Sequence, residues 1–310
     1  MPPKILFGTA ALGLLDSQTD DPETLIYHAL QAKSFCGFDT SPHYGDAEGI
    51  LGDVLQSSHI QELVSRSDYM LTSKGGREGS YVDWSTNTIH DSLSQTLKKL
   101  KTEYLDAYFL HDVEYGNKAQ WQNELIPTLE YLSHKRRQGV VRQIGLSCHP
   151  IETIVSLFNH FPEICSYIDI IFCYGHNTIL NTLEHDTHHT PTSPNPLETL
   201  YTQGVPNHVR MVDGAPYAMG LLRGHKRPLH PFGRTLSFVK QSGDYWLDYL
   251  HQWDARLRLH HGRSLPEMAI DYTLSRTNAD SVVVGIQSVR ELNMVDRAWN
   301  DVQLREWEVL

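Results

Sequence analysis

The chain has 310 residues, of which 40% are hydrophobic and 10% aromatic, so a large core can form. Its 26 Lys and Arg residues against 37 Asp and Glu residues leave a net charge of −11. That charge argues against nucleic acid or an anionic membrane surface as the main partner. No apolar run approaches the roughly 20 residues that span a bilayer, so we expect no membrane association. Four cysteines without a CxxC motif indicate free thiols in a reducing, cytoplasmic compartment.

Strand-like and helix-like segments alternate along the chain. The predicted strands are Ile5 to Ala10, Phe38 to Thr40, Tyr69 to Ser73, Leu105 to Leu110, Val141 to Ser147, Ile168 to Tyr174, Arg210 to Ala215 and Ser281 to Ile286. The predicted helices are Pro22 to Phe35, Ala47 to Gln56, Ser85 to Leu100, Gln122 to Arg137, Ile151 to Asn159, Leu197 to Gln203, Ser242 to His260, Pro266 to Ser275 and Val289 to Trp299. Two further stretches, His176 to Pro196 and Leu222 to Gln241, are predicted loops. About eight βα units predict an α/β fold, a (β/α)8 barrel of parallel strands that forms a single domain over residues 1–310.

Local signals mark the starts of the first two helices. Asp21 is placed to cap the first helix, with Pro22 at its first position. Asp46 can cap the second helix in the same way. The apolar start of the chain is interrupted by glycine and followed by acidic residues. We therefore interpret it as the first strand and its exit loop rather than a signal peptide.

Reactive side chains follow three of the predicted strands. Asp39 ends the second strand, and Tyr44 lies in the loop after it. Lys74 directly follows the third strand, and His111 follows the fourth. Active sites of parallel barrels lie at the carboxyl ends of the strands, so we expect these four side chains to meet. An acid, a phenol, an amine and an imidazole in such a position predict an active site.

The motif Asp-Thr-x-x-x-Tyr-Gly at residues 39–45, followed by Lys74 and His111, resembles the catalytic tetrad of the aldo-keto reductase family. The resemblance runs from residue 7 almost to the C-terminus. It implies an oxidoreductase that moves a hydride between a carbinol carbon and a nicotinamide ring, NAD or NADP. Within the family, residues 74–77, 111–114, 216–222 and 230–231 resemble the group of the L-galactose and D-arabinose 1-dehydrogenases. That group oxidises aldoses at C1.

The resemblance implies a role for each member of the tetrad. Tyr44 is the proton donor or acceptor, and a neighbouring Lys74 is expected to lower its pKa. Asp39 is expected to pair with Lys74 and hold it in place. His111 is expected to form a hydrogen bond with the substrate oxygen and orient it.

The cofactor contacts follow from the resemblance as well. They are Gly8, Thr9, Ser147, Tyr174, Ala215, Pro216, Met219, Gly220, Leu221, Gly285, Gln287 and Ser288. There is no GxGxxG fingerprint after the first strand, so a Rossmann site is not expected. An adenosine 2′-phosphate is usually bound by Arg or Lys, and residues 285–289 carry no positive charge. We therefore predict that NAD is preferred, with Arg276 and Arg290 as the nearest basic residues.

The substrate is predicted to be a small molecule, an aldose in its ring form that is oxidised to a lactone. Its expected contacts are His43, Asp112, His176 and His230. One alternative is an NADPH-dependent carbonyl reductase of secondary metabolism. The aromatic residues Trp84, Tyr115 and Trp121 favour this alternative, because they could line a site for apolar carbonyl compounds. More distant alternatives are a metal-dependent hydrolase or isomerase that uses residues 111, 112 and 114, and a non-catalytic barrel.

No bound metal is predicted. The run of acidic and histidine residues at 184–189 has a metal-like composition. It lies in a Pro-rich predicted loop with no strand or helix to hold ligands, so a solvated loop is favoured. We expect a monomer or a homodimer.

Overall fold

The structure is a computed structural model that describes residues 3–14, 19–79, 81–179, 200–223, 254–255 and 262–304. In chain order, its strands are β1 (Lys4–Gly8), β2 (Phe35–Asp39), β3 (Met70–Gly75), β4 (Arg77–Glu78), β5 (Tyr81–Val82), β6 (Ala107–Leu110), β7 (Ile144–Cys148), β8 (Ile170–Tyr174), β9 (Arg210–Gly214) and β10 (Ser281–Gly285). Except for β4 and β5, which pair with each other in an antiparallel hairpin, they form a closed parallel barrel. The predicted (β/α)8 barrel is confirmed.

Helices cover the outside of the barrel. In the described parts of the chain, the α-helices include α1 (Ala10–Leu14), α2 (Pro22–Gln31), α3 (Ala47–Leu55), α4 (Ser58–Leu63), α5 (Thr86–Lys99), α6 (Lys118–Gln120), α7 (Ile126–Arg137), α8 (Ile151–His160), α9 (Leu265–Arg276) and α10 (Val289–Leu304). In the described residues, consecutive barrel strands are neighbours, and β10 closes the barrel against β1. All strand exits therefore lie at one end of the barrel.

Several predicted boundaries were wrong by a few residues. Helix α2 ends four residues before the predicted Phe35, because Ala32 already has extended backbone and Phe35 begins β2. The fourth and fifth strands were predicted to begin at Leu105 and Val141, but β6 begins at Ala107 and β7 at Ile144. In the described residues, Leu105 and Val141 form an isolated β-bridge. The sequence analysis missed α1, the β4–β5 hairpin and the π-helical turn at 121–125 that precedes α7.

The two predicted caps have different outcomes. Asp21 accepts a hydrogen bond from the Thr24 backbone N–H at 2.9 Å, and Pro22 is the first residue of α2. That cap is confirmed. Asp46 directly precedes α3, but its side chain makes no capping hydrogen bond, so this prediction was wrong.

An apolar layer fills the barrel interior below the strand exits. It consists of Leu6, Ala107, Phe109, Ile170, Phe172, Val212 and Val283. The rings of Phe109 and Phe172 meet edge to face, with centroids 5.8 Å apart. A second, larger cluster packs the outer face of the strands against the helices. The interior layer forms an apolar floor beneath the strand exits, and charges buried next to such a layer interact strongly.

Some predictions fall partly or wholly on residues that the structure does not describe. Most of the two predicted loops (residues 180–196 and 224–241), the acidic and histidine run at 184–189 and His230 lie outside the described residues. So does most of the predicted helix from Ser242 to His260. Of the helix predicted at 197–203, residues 200–202 are described and helical. Within the described chain, no helix is long and apolar enough to cross a membrane.

Candidate active site

Lys74 and Asp39 form a buried ion pair at the exits of β3 and β2. Lys74 Nζ donates to Asp39 Oδ2 at 2.6 Å and to the Thr40 carbonyl at 3.1 Å. The other Asp39 oxygen accepts from Thr72 Oγ1 at 2.8 Å. Both charged side chains are almost fully buried, with 1% and 2% of their surface exposed. Each charge is thus compensated by its partner away from bulk solvent, the condition under which a buried pair can persist.

Tyr44 lies beside this pair. Lys74 Nζ is 5.1 Å from the centroid of the Tyr44 ring, and the His111 ring centroid is 6.3 Å away. The backbone of α1 packs directly against the loop that carries Tyr44. A Cβ on Gly13 would lie 1.8 Å from the Tyr44 carbonyl oxygen. Only glycine allows this close approach. The structure thus brings three of the predicted tetrad residues into one group.

The protonation of this group differs in part from expectation. Burial raises the pKa of Tyr44, and the charge of Lys74 opposes this effect without overcoming it. The predicted effect of Lys74, which lowers the Tyr44 pKa, is present, but burial outweighs it and this pKa is raised overall. Burial acts to lower the pKa of Lys74, but Asp39 and Tyr44 outweigh it and raise this pKa above its usual value. Lys74 is therefore a cation at neutral pH.

His111 joins the group from the exit of β6. Its Nδ1 lies 3.3 Å from Ser41 Oγ, and its Nε2 lies 3.6 Å from Asp112 Oδ1. Burial lowers the pKa of His111 to about 3, although Asp112 opposes this shift. The imidazole is therefore neutral at physiological pH and can donate through only one of its nitrogens.

Asp112 was predicted to contact substrate, but its carboxylate is engaged by protein groups. It forms an ion pair with Arg77 and accepts from the Tyr174 hydroxyl at 3.1 Å. Its backbone is left-handed, with φ 54°, a strained conformation that clusters at functional sites. The structure thus gives Asp112 partners on both carboxylate oxygens.

Glu114 brings a second carboxyl to the same phenol. Its Oε1 lies 3.3 Å from the Tyr174 hydroxyl and accepts from the His149 backbone N–H at 3.1 Å. Burial, followed by the charge of Asp112, raises the pKa of Glu114 to about 7. Glu114, which shares the Tyr174 phenol with Asp112, can therefore hold a proton near neutral pH.

The other predicted substrate contacts occupy different places. His43 lines a cavity of about 730 Å³ together with Lys74 and His111. The remaining lining residues are Ser41, Pro42, Gly45, Glu48, Gly75, Gly76, Arg77, Glu78, Gly79, Thr88, Asp91, Ser92, Gln95 and Lys99. His176 stacks on His149, with ring centroids 5.2 Å apart, and His149 stacks in turn on Tyr174. His176 and Tyr174 are not among the residues that line this cavity.

Predicted cofactor residues surround the same end of the barrel. Gly8 and Gly285 end the paired strands β1 and β10, and the Thr9 hydroxyl donates to the Asp39 carbonyl at 3.1 Å. Ser147 Oγ at the end of β7 is buried with no hydrogen-bond partner in the described structure. A free buried hydroxyl of this kind suits a polar ligand group.

The loop after β9 has unusual backbone geometry. Ala215, Ala218 and Met219 all have positive φ angles, 56°, 47° and 56°, and Gly220 follows with φ 91°. Such angles are uncommon outside glycine, and backbone strain of this kind clusters at functional sites. Pro216 and Leu221 are buried within it.

A second cavity, of about 460 Å³, lies at the start of α10. It is lined by Arg223, Ser264, Pro266, Glu267, Ser288, Arg290, Glu291, Met294 and Arg297. The Arg223 guanidinium is paired with Glu291 and donates to Gln287 Oε1 at 3.1 Å. Of these arginines, only Arg290 was expected near the cofactor from the sequence. Folding brings Arg223 to this cavity, whereas Arg297 lies on α10 itself, seven residues after Arg290. Arg276, the other basic candidate, does not line this cavity.

A profile of the Aldo/keto reductase family matches residues 4–309. The chain belongs to the aldo/keto reductase family. This aldo/keto reductase is 28% identical to the L-galactose dehydrogenase of Arabidopsis thaliana over 257 residues, 82% of this chain and 70% of that protein. It is 25% identical to the D-arabinose 1-dehydrogenase of Saccharomyces cerevisiae over 292 residues, 89% of this chain and 77% of that one.

A solved aldo-keto reductase structure from Pseudomonas aeruginosa shares the fold. Its TM-score is 0.57 at 16% identity, over 96% of this chain and 90% of that chain. The family membership makes the protein an oxidoreductase of the aldo-keto reductase type, a class that uses nicotinamide cofactors. The unpartnered Ser147 hydroxyl, the turn after β9 and the arginine-lined cavity fit such a cofactor. Across the described residues, no group of three or more His, Cys, Asp or Glu side chains is arranged to hold a metal ion.

Proposed function

We propose that this aldo/keto reductase oxidises an aldose at C1 to its lactone, with Tyr44 as the acid/base group. The observation that carries the proposal is the convergence of Asp39, Tyr44, Lys74 and His111 above the apolar interior layer, beside a polar cavity. The relatives named above, an L-galactose and a D-arabinose dehydrogenase, support the substrate class.

Each residue has one task in this reaction. The bound nicotinamide supplies the hydride chemistry. Tyr44, as the phenolate, takes the proton of the C1 hydroxyl and becomes neutral, and the Lys74 ammonium stabilises the negative charge that Tyr44 carries before that transfer. Asp39 holds Lys74 in place, and the neutral His111 donates a hydrogen bond to the reacting oxygen. Because burial raises the pKa of Tyr44, oxidation is expected to speed up as the pH rises above neutral.

The polar lining of the cavity supports a polyhydroxylated substrate. A site that forms hydrogen bonds with hydroxyl groups discriminates strongly against molecules that lack them. The three aromatic residues that favoured an apolar ketone substrate each contact another protein group. The indole N–H of Trp84 donates to the His111 carbonyl at 3.2 Å, and that of Trp121 donates to the Val113 carbonyl at 3.1 Å. Tyr115 covers the Arg77 guanidinium, whose carbon lies 4.3 Å from the ring centroid.

We further propose that NAD is the preferred cofactor. Residues 285–289 carry no positive charge, and Arg223 is already paired with Glu291. The arginines at 290 and 297 in the same cavity favour the competing choice, NADP. Steady-state kinetics with both cofactors decide between them, and a higher kcat/KM with NADP would refute the NAD proposal.

The substrate test is a screen of NAD and NADP reduction over pentoses, 6-deoxyhexoses and hexoses. A parallel panel follows NADH and NADPH oxidation with aromatic aldehydes and ketones. We expect sugar turnover with a lactone as the product, and no loss of activity after dialysis against a chelator. Activity confined to the carbonyl panel would exclude the aldose dehydrogenase and favour the carbonyl reductase. A chelator-sensitive activity restored by metal would favour the metal-dependent alternative.

A further inference from the structure

The buried hydroxyl of Ser41 contacts the ring of His111. Ser41 follows β2 by two residues and has no exposed surface. Its Oγ lies 3.3 Å from His111 Nδ1 and accepts a hydrogen bond from the His43 backbone N–H at 3.1 Å. Neither the resemblance to the family nor the residue pattern assigns Ser41 a role.

The contacts of Ser41 decide which nitrogen of His111 carries the proton. A serine hydroxyl has one hydrogen to donate and can accept two hydrogen bonds. Within the described part of the chain, its partners are His43 N–H and His111 Nδ1. If Nδ1 were protonated, Oγ would accept twice and its own O–H would be buried without an acceptor, which is costly. If Oγ donates to Nδ1, all these groups are satisfied.

The opposite side of the ring favours the same arrangement. The Asp112 carboxylate lies 3.6 Å from His111 Nε2, held there by Arg77 and Tyr174. A negative charge at this distance favours an N–H over a lone pair on Nε2. Because burial keeps the pKa of His111 far below neutral, the ring holds a single proton. Both neighbours therefore favour the same tautomer, Ser41 through a hydrogen bond at 3.3 Å and Asp112 through its charge at 3.6 Å.

We propose that Ser41 is a positioning residue that keeps the single proton of His111 on Nε2. With Nδ1 bonded to Ser41, Nε2 is the nitrogen left to donate to the reacting oxygen of the substrate. In the other tautomer, Nε2 would present a lone pair to that oxygen, and the two would repel each other. The catalytic consequence rests on the proposed function, whereas the tautomer itself does not.

The direct test is the tautomer of His111, measured by long-range 1H–15N correlation in uniformly 15N-labelled protein. The signals of His111 are identified by their loss in His111→Gln. We expect the Nε2–H pattern in the wild type and a shift toward Nδ1–H in Ser41→Ala. The accompanying fall in kcat/KM is expected to be about 2- to 12-fold, the population change that one net hydrogen bond controls.

Two further variants separate positioning from general destabilisation. Ser41→Thr keeps the hydroxyl and should restore both the Nε2–H pattern and most of the activity. Ser34→Ala removes another fully buried hydroxyl, one that donates to Asp296 Oδ1 at 2.5 Å before the start of β2. It should leave the His111 pattern and kcat/KM unchanged. If Ser41→Ala does not fold, the wild-type pattern and Ser41→Thr still test the proposal.

Three outcomes would overturn the inference. They are an Nδ1–H pattern in the wild type, an unchanged pattern in Ser41→Ala, and a loss of activity in Ser41→Ala without a change of tautomer. A different result would affect only the proposed function. If the tautomer shifts as expected but no sugar is turned over by the wild type, the role of Ser41 on the ring stands and the aldose substrate does not.

Discussion

Two buried polar clusters stand at the same end of the barrel and differ in how they balance charge. The first pairs Lys74 with Asp39, one cation with one anion, next to Tyr44. The second places the carboxyls of Asp112 and Glu114 on one phenol, Tyr174, with Arg77 paired to Asp112. In the first cluster, the charges of Lys74 and Asp39 cancel. In the second, two carboxyls share one cation, Arg77, so one carboxyl has no opposite charge beside it.

This difference determines where protons can move. In the first cluster, Asp39 and Tyr44 raise the pKa of Lys74, so its charge is constant across the neutral range. In the second, burial and the charge of Asp112 raise the pKa of Glu114 to about 7. Burial alone therefore does not decide whether a site responds to pH, because the sign of the neighbouring charge decides it. The following variants test this contrast.

The largest effect is expected when the first cluster loses its proton carrier. Tyr44→Phe should lower kcat by about 10²- to 10⁴-fold, the usual contribution of a general acid–base group. Cofactor affinity, measured by fluorescence titration, should remain. The matched control is Tyr27→Phe on α2, whose hydroxyl accepts a hydrogen bond from the exposed residue Gln31 at 3.0 Å. Near-wild-type turnover in Tyr44→Phe would remove Tyr44 from the mechanism.

Breaking the ion pair itself should mainly cost stability. Asp39→Asn leaves the Lys74 ammonium buried without its carboxylate, and a broken buried pair typically costs about 3–5 kcal/mol. Urea unfolding measures this change. Adding Lys74→Met to Asp39→Asn removes the unpaired charge and should recover part of the lost stability, without recovering activity. A double variant no more stable than Asp39→Asn would contradict this account of the first cluster.

In the second cluster, Glu114→Gln should change how stability depends on pH. The folded-state pKa of Glu114, about 7, lies above its ordinary value of 4.5. Folding therefore favours the protonated acid. Its stabilising contribution is complete below about pH 4.5 and is lost as the pH rises through about 7.

The glutamine variant should accordingly match the wild type near pH 4.5 and exceed it at pH 8, by about 1–3 kcal/mol. Thermal melting at both pH values measures the difference. Glu103→Gln, at an exposed position, serves as the control and should show no such change with pH. A wild type that is more stable than Glu114→Gln at pH 8 would contradict the raised pKa.

The smallest effect is expected from the shared phenol. Tyr174→Phe removes one hydroxyl that can donate to only one of its two carboxylate partners at a time. The expected cost is about 1 kcal/mol, or about 2 °C in Tm for a chain of this size. The cost should grow with pH as Glu114 ionises. A loss of stability that does not depend on pH would show that the Tyr174 hydroxyl donates its hydrogen bond to Asp112 alone.

Much of the architecture could be predicted because local patterns and the fold agree. β-branched runs such as the one that forms β8 are buried on both faces, which is typical of parallel strands covered by helices. The carboxyl ends of parallel strands lie at one end of a barrel, so the strand order alone predicts that Lys74 and His111 lie close together. The boundary errors at Ala32 and Leu105 are of the usual size for sequence patterns.

The sequence by itself determined the barrel, the family and the identity of the reactive side chains, because these depend on residue type, order and spacing. The tertiary structure alone decided how those side chains are charged and which partners they have. It buried Tyr44 enough to outweigh Lys74, turned Asp112 toward Arg77 and Tyr174, and placed Ser41 against His111. Burial and distances of a few ångströms set pKa values and hydrogen bonds, and no local pattern encodes them.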